Sequence, residues 1–216
     1  MGLPAPLVYI VDDDESVRRS LARLLKSNGH NCQTVASARD FLECDIERVP
    51  VCLILDLQMP GMDGFELQNK LNVDGRVIPI IFLTGHGDIS KSVRAMKAGA
   101  SDFFTKPVRG SVLLHAVEEA LARAQREYAE HHELQELKMR LSKLTNRERQ
   151  VLERVISGRL NKQIAHELGT SEKTIKVHRA RVMEKMQTHS LAELVHMTDR
   201  IGLPRQASKH EDRQPC

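Results

Sequence analysis

Residues 51 to 64 read VCLILDLQMPGMDG: an apolar run from Val51 to Leu55, an acid at Asp56, then a stretch broken by Pro60, Gly61 and Gly64. Five consecutive apolar residues without polar alternation suit a strand buried on both faces, and the Pro and Gly that follow suit a turn. The same grammar recurs upstream, where Leu7 to Val11 runs directly into Asp12, Asp13 and Asp14. Cys32 to Val35, Ile78 to Leu83 and Asp102 to Thr105 complete a set of short apolar runs separated by amphipathic stretches of helical period. Strands alternating with helices predict βαβ units, hence an α/β fold with a doubly wound, five-stranded parallel sheet covered on both faces.

In sheets of this kind functional groups collect beyond the carboxyl ends of the strands. Asp12, Asp13 and Asp56 fall there, and Thr84 and Lys106 follow the fourth and fifth strands at the same edge. Clustered carboxylates repel one another unless a cation joins them, and a hard cation with oxygen ligands, Mg²⁺ above all, relieves that repulsion. Taken singly, each residue has an ordinary explanation, because acids after strands often cap helices and a lone Lys or Thr is usually solvated. Occurring together after four strands, they point to phosphoryl transfer onto Asp56, with Mg²⁺ and Lys106 neutralising the phosphoryl oxygens. Gly61 and Gly64 flank a turn that must leave the Asp56 carboxylate accessible.

The segments VDDDES, LDLQMPGMDGFEL, IIFLTGHGD and MKAGASDFFTKP carry a resemblance to the response-regulator receiver family, covering residues 7 to about 120. The resemblance implies a flavodoxin-like receiver domain with Asp12 and Asp13 as the acidic pair and Asp56 as phosphoacceptor. It implies that Mg²⁺ is held by these acids and by the backbone carbonyl of Gln58. Thr84 and Lys106 match the switch residues, and Phe103 falls where the family carries an aromatic that turns inward on activation. The Lys106-Pro107 bond matches a position usually cis, an isomer that only proline makes inexpensive. Gln58 and His86, each two residues beyond a pocket residue, are expected to flank the path of hydrolytic water and tune phosphate lifetime.

From Ser111 to about Lys143 the chain holds no Pro or Gly and is rich in Ala, Leu, Glu, Gln and Arg, which predicts one long helix. Leu134, Leu137, Leu141 and Leu144 form either a short coiled-coil-like seam or a face packing on its own domain. Thr145 with Glu148 fits a capping box, and further helices are expected near 161 to 168, 172 to 187 and 190 to 201. Residues 161 to 186, NKQIAHELGTSEKTIKVHRARVMEKM, place a break at Gly169-Thr170-Ser171 between two helices, which is helix-turn-helix grammar. Ile164, Ala165, Leu168, Ile175, Val182 and Met186 are expected in the core, leaving Lys173, Lys176, Val177, Arg179, Ala180 and Arg181 outward. Residues 142 to 203 also hold 12 Lys and Arg against 7 Asp and Glu, within a chain of net charge +3. That excess suits a polyanion partner.

The segment from Leu144 to Leu203 resembles the LuxR-type output domain, as in regulators of the FixJ and NarL type. The resemblance implies a recognition helix from Ser171 to Met186, with Lys176 and Val177 at base edges and Lys162, Thr174, Arg179 and Arg181 on phosphates. Ala180 stands where some relatives place a lysine, and the helix at 190 to 201 matches the one through which such domains dimerise.

The expected layout is a receiver domain over 1–120, a helical linker over 121–143, a DNA-binding domain over 144–203 and a disordered tail over 204–216. Cys32, Cys44, Cys52 and Cys216 have neither metal-ligand nor CxxC spacing and read as reduced thiols. No apolar run is long enough to cross a membrane and no export signal is evident, so the expected location is cytoplasmic. The expected function is a transcriptional regulator, by resemblance an activator, and not an enzyme. Its expected partners are a sensor histidine kinase, promoter DNA, RNA polymerase and, once phosphorylated, a second copy of itself. Two competing readings are an Asp-nucleophile phosphatase, disfavoured because Gln58 stands where the second acid would be, and C-terminal helices that bind protein instead of DNA.

Overall fold

In the computed structural model, which describes residues 3–46, 48–85 and 89–203, the apolar runs are strands and the amphipathic stretches are helices. Five strands, β1 (Leu7–Val11), β2 (Cys32–Val35), β3 (Val51–Leu55), β4 (Ile80–Thr84) and β5 (Asp102–Thr105), form one sheet in the order β2-β1-β3-β4-β5. Every neighbouring pair is parallel. The helices between them are α1 (Glu15–Ser27), α2 (Ala38–Leu42), α3 (Gly64–Val73) and α4 (Ile89–Lys97), and α5 (Gly110–Ser142) follows β5. All five residues of β3 and of β4 are buried, as their unalternating sequences predict.

Successive side chains along a strand point to opposite faces, so one run of apolar residues feeds two cores. Tyr9, Val11, Leu53, Leu55 and Phe82 pack with Phe41 of α2 and Phe65, Leu67 and Leu71 of α3. Val8, Ile10, Ile54, Ile81 and Leu83 pack on the other face with Leu21 and Leu25 of α1 and Leu113, Val117 and Leu121 of α5. One expectation shifts. The fourth strand begins at Ile80 and runs through Thr84, where the sequence suggested Ile78 to Leu83. Pro79 has no N–H to give a ladder, and it contributes only its carbonyl, which accepts from the Leu53 N–H at 2.9 Å.

The chain divides into two compact units, Met1–Glu130 and His131–Cys216, so the division falls inside α5. The second unit contains α6 (Asn146–Ile156), α7 (Asn161–Glu167), α8 (Glu172–Met186) and α9 (Leu191–Arg200). Its core gathers Val151, Leu152, Val155, Ile164, Ile175, Val182, Met186 and Leu194, with Leu168 packed against it. Leu144 belongs to that core and Leu141 packs on it, which favours the own-domain alternative for these two leucines. The tail from Pro204 to Cys216, expected to be disordered, lies outside the described residues. Among the described residues no helix is long and apolar enough to cross a membrane.

The expected capping box opens α6. The Thr145 hydroxyl accepts from the Glu148 N–H at 3.3 Å, and Glu148 Oε2 accepts from the Thr145 N–H at 2.9 Å. Lys185 of α8 also donates to Glu148 Oε2, at 2.6 Å, so one buried carboxylate ties a cap to a neighbouring helix. Hydrogen bonding to Lys185 and to the cap pulls the Glu148 carboxyl down from 4.5 to about 2. A depressed acid stabilises the fold above its unfolded value and loses that contribution as pH falls through its folded value. Glu148→Gln keeps the cap but not the charge, so it is expected to cost about 1–3 kcal/mol at neutral pH. Urea unfolding of both proteins should show that difference closing as pH falls from 4.5 towards 2.

Candidate functional site

The parallel sheet sends β1 to β2 in one direction and β3 onward in the other, and the crevice between β1 and β3 opens where that winding reverses. Asp12 is the first residue after β1 and Asp56 the first after β3; they are 2% and 8% exposed. Lys106, the first residue after β5, reaches both carboxylates. Its Nζ donates to Asp12 Oδ2 at 2.6 Å and to Asp56 Oδ2 at 3.0 Å. The remaining oxygens take backbone donors: Asp12 Oδ1 accepts from the Asp14 N–H at 2.9 Å, and Asp56 Oδ1 from the Gln58 N–H at 3.3 Å. Asp13 is exposed, yet one of its carboxylate oxygens lies within 4.8 Å of the corresponding atoms of Asp12 and Asp56. Three oxygen ligands so close form a donor set suited to a metal ion.

Burial pushes the Asp12 carboxyl upward, against the hydrogen bond from Lys106 that pulls it down. Burial alone would lower Lys106, but the hydrogen bonds and charges of Asp12 and Asp56 outweigh it and hold the ammonium above its ordinary value. The lysine therefore stays charged between two acids. Thr84 is fully buried at the end of β4, and its carbonyl accepts the Lys106 backbone N–H at 2.8 Å. The Lys106-Pro107 peptide is cis, as the resemblance implied.

Asp14 turns away from the cluster to cap α1, where its Oδ1 accepts from the Ser16 N–H at 2.7 Å. The loop after Asp56 is shaped by glycine. Gly61 sits at φ +85°, and a Cβ on Gly64 would come within 2.6 Å of the Asp56 carbonyl oxygen and 3.0 Å of Leu57 Cα. Only the absence of a side chain lets α3 start this close to the Asp56 backbone. Phe103 is half-buried and follows Phe65 and Phe82 in a run of rings, its centroid 6.2 Å from Phe82. The Gln58 side chain is exposed, and His86 lies outside the described residues. Arg18 was not expected here: its Nη1 donates to the backbone carbonyls of Asp12 at 2.7 Å and Asp13 at 2.9 Å. The sequence signal was its place on the first turn of α1, where a long side chain points back towards the helix start.

In the second unit, Ser171 caps α8 by accepting from the Thr174 N–H at 3.1 Å, after a turn in which Gly169 adopts φ +60°. Lys162, Thr174, Lys176, Val177, Ala180 and Arg181 are exposed. Arg179 is half-buried and donates to Asn161 Oδ1 at 2.9 Å, which ties α8 to the start of α7. Sequence reasoning missed that contact because Asn161 lies 18 positions away. It also missed Arg147, which donates to the Leu168 carbonyl and braces the end of α7.

Two family models match the chain: the response regulator receiver domain over residues 8–118, and the luxR family of bacterial regulatory proteins over residues 142–198. The chain belongs to the response regulators with a LuxR-type DNA-binding domain. It is 46% identical over 198 residues to the response regulator protein TodT of Pseudomonas putida, covering 91% of this chain and 87% of TodT. It is 42% identical over 196 residues to the transcriptional regulatory protein FixJ of Azorhizobium caulinodans, covering 91% of this chain and 93% of FixJ. The solved structure of the response regulator StyR matches with a TM-score of 0.82 at 46% identity, covering 91% of this chain and all of StyR's. Full-length FixJ from B. japonicum matches with a TM-score of 0.53 at 39% identity, covering 92% of this chain and 98% of that one. The family is one of transcriptional regulators and not of enzymes, which sets the phosphatase reading aside. A receiver domain implies a kinase partner, and a LuxR-type domain implies DNA binding.

The compensation of Asp12 and Asp56 by one ammonium makes this response regulator sensitive to loss of Lys106. Lys106→Met is expected to destabilise the metal-free receiver by about 1–3 kcal/mol at neutral pH, because two partly desolvated carboxylates lose a charged donor. Urea unfolding at several pH values should show the gap to wild type narrowing in acid, as protonation of Asp12 removes the charge that needs a partner.

Proposed function

We propose that a sensor histidine kinase phosphorylates Asp56 and that the phosphorylated protein dimerises and regulates promoters, as an activator working with RNA polymerase. The observation that carries this reading is the Asp56 carboxylate held 3.0 Å from Lys106 Nζ at the crevice between β1 and β3, beside Asp12 and Asp13. An Asp56 oxygen attacks the phosphorus of the kinase's phosphohistidine, the P–N bond breaks, and an acyl phosphate remains on Asp56. The all-oxygen donor set fits Mg²⁺, which Asp12, Asp13, Asp56 and the Gln58 carbonyl would hold. When bound, the ion neutralises charge on the phosphoryl oxygens. Lys106, already between the carboxylates, is placed to pair with the same oxygens.

A phosphoryl group adds roughly 1.5 to 2 negative charges at neutral pH. In this reading it draws in the Thr84 hydroxyl and Lys106 and favours the inward position of Phe103. Gln58 and His86 screen the hydrolytic water and tune the lifetime of the phosphate. The chain after Thr84 leads into α4, which exposes Ile89, Val93 and Met96 at i, i+4 and i+7. That apolar side supports a receiver homodimer formed by a population shift. We assign the receiver to 1–120, the linker to 121–143 and the DNA-binding domain to 144–203. Within the last, Lys176 and Val177 meet base edges, Lys162, Thr174, Arg179 and Arg181 meet phosphates, and α9 pairs with its counterpart. The exposed placement of these groups on α7 and α8, apart from half-buried Arg179, supports the reading. A chain that acts on DNA and has, among the described residues, no apolar helix of spanning length fits the cytoplasm.

Sedimentation and binding to a selected DNA fragment, with Mg²⁺ and with or without a small acyl-phosphate donor, test the switch. Wild type should dimerise and bind more tightly with the donor, while Asp56→Asn should not respond. An equal response from both proteins sinks Asp56 as the acceptor. On the DNA side, Lys162→Ala should weaken binding to all sequences alike and reduce the salt slope by about one. Val177→Ala should instead change the preferred sequence; the reverse pattern would reject these assignments.

A further inference from the structure

We infer that Arg18 is a positioning residue for the metal-binding carboxylates, acting through the backbone of Asp13 and not through its charge; the inference rests on the phosphoryl-acceptor reading above. Arg18 is the fourth residue of α1, and side chains on a helix lean towards its N-terminus, so the guanidinium lies back over the β1–α1 loop. There its Nη1 donates to the Asp12 carbonyl at 2.7 Å and to the Asp13 carbonyl at 2.9 Å.

Those two carbonyls belong to the two peptide planes on either side of the Asp13 α-carbon. Peptide planes are rigid, so fixing both fixes the φ and ψ of Asp13 and the direction of its Cα–Cβ bond. The second plane is held from its other edge as well, because the Asp14 N–H donates to Asp12 Oδ1 at 2.9 Å. What remains free for the Asp13 carboxylate is rotation about its own side-chain bonds.

This matters because Asp13 is the exposed member of the trio and faces two like charges that share one ammonium. Repulsion alone would turn it outward. A loop clamped by Arg18 keeps its carboxylate within reach of Asp12 and Asp56 before any cation arrives, so less ordering is left to accompany binding. The charge of Arg18 acts in the opposite sense, since a guanidinium near a cation site repels the cation. The two roles therefore predict opposite signs.

The test is a Mg²⁺ titration of the full-length protein at fixed ionic strength, without phosphodonor, by calorimetry and backbone amide shifts. Wild type, Arg18→Met and Arg18→Lys are compared, and melting in a chelator reports whether each is folded. Arg18→Met, which keeps the aliphatic stem and loses the donors, is expected to bind Mg²⁺ about tenfold more weakly, within the range for partners that orient metal ligands. Arg18→Lys, whose ammonium has reach for one carbonyl, should fall between the two. Equal or tighter binding by Arg18→Met overturns the inference while leaving the acceptor site intact. If Arg18→Met does not fold, Arg18→Lys decides, with weaker binding supporting the inference and wild-type affinity overturning it. A wild-type protein that does not respond to Mg²⁺ overturns both the metal reading and this inference.

Discussion

Asp12 and Asp56 leave neighbouring strands at the same level of the sheet, with their carboxylates largely removed from water, and the Lys106 ammonium from β5 bridges them at 2.6 and 3.0 Å. Removing an ionised carboxylate from water is costly unless a charged donor replaces the lost solvent. The pair of contacts therefore constrains more than the pocket. It couples the ends of β1, β3 and β5, although β4 stands between β3 and β5 in the sheet, and it keeps an acidic centre stable.

Backbone geometry supports that charge arrangement at each rim. Gly64 lets α3 begin against the Asp56 backbone, where a Cβ would meet the carbonyl at 2.6 Å. Asp14 is spent on the cap of α1, which divides three consecutive acids into one that serves the helix and two that serve the pocket. Arg18 reaches from the same helix to the carbonyls of those two. The pocket is thus held by groups that also start the helices around it, and a change of charge inside it has direct routes into the backbone.

The second unit solves a different problem, presenting polar and basic side chains outward from a small core. Buried Ile175, Val182 and Met186 orient α8, and the exposed Lys176, Val177 and Arg181 are what that orientation leaves free. Glu148 and Lys185 secure the helix from below, while Arg179 divides its role between the outward face and Asn161. In the proposed reading, polar contacts near the middle and the C-terminal end of α8 keep its outward residues in a fixed register, which base recognition requires.

Local pattern was enough to determine the strands, their parallel arrangement, the long helix, the capping box of α6 and the helix-turn-helix, because each depends on periodicity or on residues within one turn. It also brought Asp12, Asp13, Asp56, Thr84 and Lys106 to one edge, since in a parallel α/β sheet all strands end at the same side. The start of β4 differed by two residues because ladder donors, and not hydrophobicity, decide where a strand begins at Pro79. The contacts that tertiary structure alone decided are side-chain ones across sequence distance: Lys106 with both acids, Lys185 with Glu148, and Arg179 with Asn161. Their partners lie 94, 50, 37 and 18 positions apart, and no local preference selects one basic or acidic residue among many. Arg18 shows the same limit at short range, because its position was readable but the carbonyls it holds depend on how the loop turns in three dimensions.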